Sequence, residues 1–424
     1  MKTIITLLAL TLGASAACAK TTVLTADRMI DVENGKLITN AVVVMEDNTI
    51  VAAGTKRSVT IPSDAEVMEL GDYTLMPGLM DMHVHLTSDA TKHGYKRLAD
   101  SLPRVTLTGV KHAEATLMAG FTTVRNVGAP GFADVALRDA INDGDIQGPR
   151  MFVSGPSLGV TGGHCDNNLL PYEFHSVSEG VADGPWAVRE IVRRNIKYGA
   201  TVIKFCGTGG VLSKGTKVGV QQYTFEEMQA LVDEAHMRGL TVATHAHGTS
   251  GIKTAIKAGV DSVEHVSLLD EVGIELALEH GTYFSMDIYV TEYILSEGEK
   301  AGILEESLAK ERIVGKRQRE NFQKAVKAGV KMVFGSDAGV YPHGDNGKQF
   351  ARMVRFGMTP MQAIQAATIH PATLLKQQET LGSISAGKKA DIVGVKGNPL
   401  DDISLLENVG LVVKDGHIVK SVAM

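Results

Sequence analysis

The chain has 424 residues, 44% of them hydrophobic and 45 of them glycine, and a net charge of -6. That length buries a large core and exceeds the usual size of one compact domain, so a large domain with a smaller one is expected. The acidic balance gives no footprint for nucleic acid, and no run of lysine or arginine offers a surface for anionic lipid, which favours small-molecule chemistry.

Residues 1–19 read as a secretory signal. Lys2 precedes the apolar run Ile4 to Leu12, and small residues lead to Ala17-Cys18-Ala19, an A-x-A cleavage site before Lys20. The apolar run is well short of the ~20 residues that span a bilayer. A lipid-modified Cys18 is weakened by Ser15, where a leucine would be expected. A periplasmic or secreted protein with no membrane span is the expectation. After cleavage Cys165 and Cys206 remain, too few for a disulfide framework, and their pairing is left open.

Residues 20–76 show short β segments separated by turns such as Glu33-Asn34-Gly35 and Glu46-Asp47-Asn48, a small antiparallel unit. Residues 380–424 have the same texture. Lone hairpins are marginal in water, so both ends predict one discontinuous β-sandwich, first part 20–76 and second part 380–424. Between them, in 77–379, strands alternate with amphipathic helices. The strands are expected at the Leu79-Met80-Asp81 run, Phe121 to Val127, Arg150 to Gly155, Thr201 to Gly207, Thr241 to His247, Ser262 to Ser267, Tyr283 to Tyr289 and Met332 to Ala338. The helix Phe225 to Arg238 is the clearest, with a capping box of Thr224 and Glu227 and a stop at Gly239. Eight such strands predict an α/β fold, a (β/α)8 TIM barrel. A doubly wound sheet lacks a G-x-G-x-x-G after its first strand.

In Met80 to Leu86 a single valine separates His83 from His85, and alternate residues of a strand share a face, so both imidazoles aim at one point and could ligate one metal. Two merely hydrogen-bonded histidines are the alternative. Barrel chemistry sits at the C-terminal ends of strands, where Lys204, His245, Glu264-His265 and Ser336-Asp337 also fall. A lysine flanked by Val202, Ile203 and Phe205 is costly to bury charged and alone. Carbamylated by carbon dioxide, it would become an anionic ligand able to bridge two metals. His247 faces the same way as His245 but lies at the strand's extreme end and stays ambiguous. His112, His236, His280 and His417 read as surface or capping residues.

Pro77-Gly78-Leu79 before His83-Val84-His85, Lys204 within a strand, His245, His265, Gly335-Ser336-Asp337 and Ala386 to Val393 together resemble the metal-dependent amidohydrolase superfamily. The resemblance spans the mature chain. It is nearest to the imidazolonepropionase-like and prolidase-like branch, which removes a C-terminal amino acid from dipeptides or N-acyl amino acids and includes ochratoxin-hydrolysing relatives. The resemblance implies two divalent metal ions, usually zinc, and a carbamate on Lys204. His83, His85 and Asp337 would hold one metal, His245 and His265 the other, and Lys204 would bridge them. A bridging hydroxide would attack the amide, with Asp337 as the catalytic proton shuttle. In that branch a rim histidine and tyrosine bind the substrate's α-carboxylate, and His164 and Tyr223 match those places. Cys165 stands where glycine often follows the histidine. Val211, Leu212, Met286, Tyr289 and His343 are candidate pocket lining. The partner implied is a small amide or dipeptide, and a homo-oligomer is left open. Cyclic-amide hydrolysis and a non-catalytic metal-bearing barrel are the competing functions. Export fits poorly with the first, and the presence of all six ligand positions argues against the second.

Overall fold

The computed structural model describes residues 21–421, and the signal-like segment lies outside them. The chain opens with β1 (Thr21–Asp31), β2 (Lys36–Glu46), β3 (Thr49–Thr55), β4 (Glu66–Glu69) and β5 (Tyr73–Pro77). After Gly78 alone comes β6 (Leu79–Val84), followed by α1 (Leu102–Met118), β7 (Phe121–Asn126), α2 (Ala133–Asn142), β8 (Arg150–Val153) and α3 (Pro185–Lys197). Then come β9 (Val202–Cys206), α4 (Phe225–Met237), β10 (Thr241–Gly248), α5 (Thr249–Lys257), β11 (Ser262–Leu268) and α6 (Glu271–His280). The alternation ends with β12 (Tyr283–Ser285), α7 (Val290–Ala301), α8 (Glu305–Ala328) and β13 (Met332–Val333). Three helices, α9 (Lys348–Arg355), α10 (Pro360–Ala366) and α11 (Ile369–Leu374), lead back to β14 (Ile392–Lys396), β15 (Leu411–Lys414) and β16 (His417–Lys420).

Both ends of the chain build one sheet of order β16-β15-β14-β5-β1-β2-β3, with β4 also on β1. The expectation of purely antiparallel pairing is corrected here: the hydrogen bonds join these strands in one mixed sheet, in which β1 runs parallel to β4 and β5. After the β2–β3 hairpin the chain crosses back through residues 56–65 to the free edge of β1, which makes the new pairing parallel. Alternation along the strands splits the apolar residues. Leu75, Ile392 and Val413 pack within the sheet's own cluster, while their neighbours Met76, Val393 and Val412 join the main core.

The inner strands form two parallel sheets, β6-β7-β8 and β9 through β13 in order. They meet through single bridges, Leu158 with Phe205 and Val84 with Ala338. Near one seam Leu158 N donates to Lys204 O at 2.9 Å, and near the other Met82 N donates to Phe334 O at 2.8 Å. Buried runs make these strands, and amphipathic helices cover them. Helix α4 carries the expected capping box, with Thr224 and Glu227 each accepting from the other's backbone N–H, and Gly239 follows at φ +76.

Two strands fall several residues short of expectation. β12 stops at Ser285 because Met286 to Tyr289 turn into α7, with Ile288 N bonded to Met286 O. β13 holds only two residues, since Phe334 N is taken by Ala366 O and Asp337 adopts φ +58, a backbone that cannot extend a ladder.

Candidate active site

At the C-terminal ends of β6, β9, β10 and β11 and in the turn after β13, the structure brings His83, His85, Lys204, His245, His265 and Asp337 to the floor of one cavity of about 710 Å³. His83 Nε2 lies 3.4 Å and His85 Nε2 3.5 Å from Asp337 Oδ1. Single ligand atoms of His83, His265 and Asp337 fall within 4.8 Å of one another, as do those of His245, His247 and His265. His247, ambiguous in the sequence, therefore stands beside the second group.

Hydrogen bonds behind the site fix which ring nitrogen faces the cavity. His83 Nδ1 lies 3.1 Å from Glu264 Oε2, His265 Nδ1 2.9 Å from Asp287 Oδ1, and His247 Nδ1 2.8 Å from Ser267 Oγ. Each bond leaves Nε2 forward, the arrangement a metal needs. Burial would raise the Glu264 carboxyl, but Arg125, with Nη2 2.7 Å away, outweighs it and holds the group below the usual carboxylate range. Burial likewise pushes the His83 ring down to about 4, so it stands neutral and can offer a lone pair.

A divalent metal pair suits this donor set. His245 Nε2 is buried with no hydrogen-bond partner among the described residues. Lys204 is 4% exposed, and among the described residues its Nζ has neither a hydrogen bond nor an ion pair. An orphaned buried ring nitrogen beside an unpaired ammonium calls for a missing partner. Burial lowers the Lys204 ammonium to about 8 and raises the Asp337 carboxyl to about 8.

The amidohydrolase family profile matches residues 74–419. The chain belongs to the amidohydrolase family. It is 34% identical to an ochratoxinase of Aspergillus niger over 414 residues, 92% of this chain and 84% of that one. Among solved structures, a Xaa-Pro dipeptidase with methionine bound in its active site is 39% identical with a TM-score of 0.89, covering 95% of this chain and all of that one. A prolidase complexed with N-methylphosphonate-L-proline is 32% identical with a TM-score of 0.86, covering 95% and 100%. The protein is thus a hydrolase of carbon–nitrogen bonds, from a family that is generally metal-dependent.

Around the floor of this amidohydrolase the rim differs in part from expectation. His164 lines the cavity, stacked on His245 with ring centroids 4.0 Å apart and Nδ1 2.8 Å from Ser213 Oγ. A Cβ added at Gly210 would meet the His164 ring at 2.2 Å, so the ring rests on backbone that only glycine leaves open. Cys165 avoids the left-handed region and so tolerates the place of glycine. Tyr223 is corrected: it is 1% exposed, absent from the cavity lining, and its hydroxyl donates to Ala182 O at 3.1 Å. Val211 and Leu212 line the cavity, whereas Met286, Tyr289 and His343 do not. Tyr289 packs under Arg352 and against Tyr341, and His343 reaches His85 O at 3.1 Å from behind.

Sequence reasoning left two features of the site open or unread. Cys165 and Cys206 form a disulfide with Cα atoms 5.8 Å apart, tying the His164 loop to the end of the Lys204 strand. Glu311 of α8 lines the cavity, is 4% exposed and accepts from Thr291 Oγ1 at 2.5 Å. Nothing in an amphipathic helix pattern marks it, because its partner lies on another helix.

Two outcomes follow from this geometry. Burial raises Glu311 from 4.5 to about 7, so between those values the folded state binds more protons and stability falls as pH rises. Glu311→Gln removes that loss, and urea unfolding at pH 8 should show a gain of up to about 3 kcal/mol that shrinks toward zero at pH 4.5. Across the 41-residue separation, opening the disulfide in reductant should destabilise the protein by about 4 kcal/mol. The Cys165→Ser/Cys206→Ser double variant should match the reduced wild type in the same measurement.

Proposed function

We propose that this amidohydrolase cleaves the amide bond of dipeptides or N-acyl amino acids that end in a free carboxylate. The observation that carries the proposal is the convergence of two ligand groups, sharing His265, around the unpaired Lys204 on the floor of a cavity with room for a dipeptide. The neighbours supply the substrate class, since one is a Xaa-Pro dipeptidase and one a prolidase. We read the two parallel sheets as one (β/α)8 barrel, supported by the bridges at both seams.

His83, His85 and Asp337 would hold one divalent ion, His245 and His265 a second, and Lys204, as a carbamate, would lie between them. Such ions, zinc first among them, supply an activated water near neutral pH and polarise the scissile carbonyl. A lysine whose ammonium is lowered to about 8 holds enough neutral amine to capture carbon dioxide. Asp337 takes a proton from the attacking water at Oδ1 and delivers it to the leaving nitrogen. A carboxylate at that position can act first as base and then as acid, as that double role requires. Glu264 and Asp287 hold the rings of His83 and His265 in place, and His164 on the rim meets the substrate's carboxylate. The disulfide supports export to an oxidising compartment.

Chelation should abolish turnover, and zinc, cobalt or manganese should restore it. Asp337→Asn should lose 10²–10⁴-fold in kcat, on the scale of a lost general acid–base. Persistent activity of either preparation would remove the mechanism. The substrate class is tested with N-acetyl-L-phenylalanine and its C-terminal amide, following release of the amino acid or its amide. The amide should lose ~100-fold in kcat/KM, the scale of one unpaired buried contact to a charged group, and equal cleavage of the two would refute the reading.

A further inference from the structure

A substrate that ends in a carboxylate needs a cation to meet it, and among the described residues lining the cavity, Lys204 of the candidate metal centre apart, Arg97 is a cation with no partner of its own. The short 3-10 turn Gly94–Ala99 carries Arg97 onto the cavity wall. Nearby cations are committed elsewhere. Lys92 Nζ lies 2.8 and 2.7 Å from the two oxygens of Asp100, and Lys214 Nζ donates to Tyr95 Oη at 2.7 Å. The Arg97 guanidinium, among the described residues, makes neither a hydrogen bond nor an ion pair. The acids around the same cavity are occupied too. Asp89 accepts from Thr91 N and Oγ1, Glu179 from Gly131 N, and Asp287 from Gln318 beside its bond to His265.

Partial desolvation lowers the Arg97 pKa with no carboxylate offsetting it. Arg97 and His164 both line the same cavity. A guanidinium offers a planar fork of donors that fits both oxygens of a carboxylate at once, which a lysine cannot copy.

We propose that Arg97 is the specificity-determining residue that grips the substrate's free terminal carboxylate, in the place that Tyr223 leaves empty, with His164 beside it. The inference rests on the free-acid reading above and deepens it. Because Arg97 lies on an exposed turn, Arg97→Gln should fold normally, which thermal unfolding checks. With N-acetyl-L-phenylalanine the variant should show KM raised about 100-fold, with kcat changed little and with the amidated compound unaffected. Arg97→Lys should recover part of the loss. Inhibition by free L-phenylalanine should weaken in parallel, while inhibition by L-phenylalaninamide stays as in the wild type. If the wild type itself cleaves free and amidated substrates equally, the free-acid reading fails and this inference falls with it. If the wild type discriminates and Arg97→Gln discriminates as well, the reading stands and Arg97 is not the anchor.

Discussion

The site depends on one buried ion pair. Arg125 and Glu264 both have side chains with no exposure, at 2.7 Å from one another. Replacing such a pair with apolar residues is often neutral for stability, so its value here is not a gain in folding energy. Its value is direction. Glu264 Oε2 receives His83 Nδ1, while Arg125 Nε donates to the carbonyl of Met82, one residue before that histidine. The strand and the ring are thus oriented by one fixed charge, and Nε2 of His83 has a single direction in which to point. Removing only Glu264 would leave a buried guanidinium without its counter-charge, at a cost of several kcal/mol.

A second constraint lies in the backbone. His265, Val266 and Asp337 have φ of +70, +52 and +58, a region where a β-branched residue such as Val266 is a true outlier. Each such residue costs about 1–3 kcal/mol, which the surroundings must offset. The surroundings do so with specific bonds. Gln318 Nε2 donates to His265 O at 3.1 Å, Asp337 N donates to His83 O at 2.8 Å, and Val340 N to Asp337 O at 3.1 Å. Asp81, one side of the His-x-His pair, accepts from Ser336 N at 3.0 Å and so ties the two halves of the first ligand group together. At Asp337 the turn follows the end of β13, whereas His265 and Val266 make an irregularity inside β11, whose pairing resumes at Leu268.

The floor of the site was legible because strands have a period. His83 with His85 follows from alternate residues sharing a face, and Lys204 stands out as a charge among apolar neighbours. His245 with His265 follows from the strand ends of an alternating fold. The rim was not legible, because a loop has no period to aim its side chains. Tyr223 and His164 carried equal weight in sequence, yet one bonds to Ala182 under the surface and the other faces the cavity. Met286 and Tyr289 were misplaced for a related reason: the strand expected through them ends at Ser285, so their alternation with Phe284 was never realised. The mixed pairing of β1 with β4 escaped because a ten-residue crossover of mixed composition looks like any other loop. Arg97 sits in a short turn among polar residues, and only the absence of partners in three dimensions distinguishes it.

The sheet built from both chain ends has a consequence for how the molecule is assembled. Its central seam pairs β5 with β14, and Thr74 bonds to Gly397 across 323 residues. Contacts of such separation are slow to form, because a long loop must close before they return any energy. Only Gly78 separates β5 from β6, and a Cβ there would meet Thr122 at 2.1 Å, so no slack lies between the sheet and the strand that carries His83. The ladder between β5 and β14 therefore cannot close until Ile392–Lys396 has been made, so the strand next to the first histidines keeps one open edge for most of synthesis.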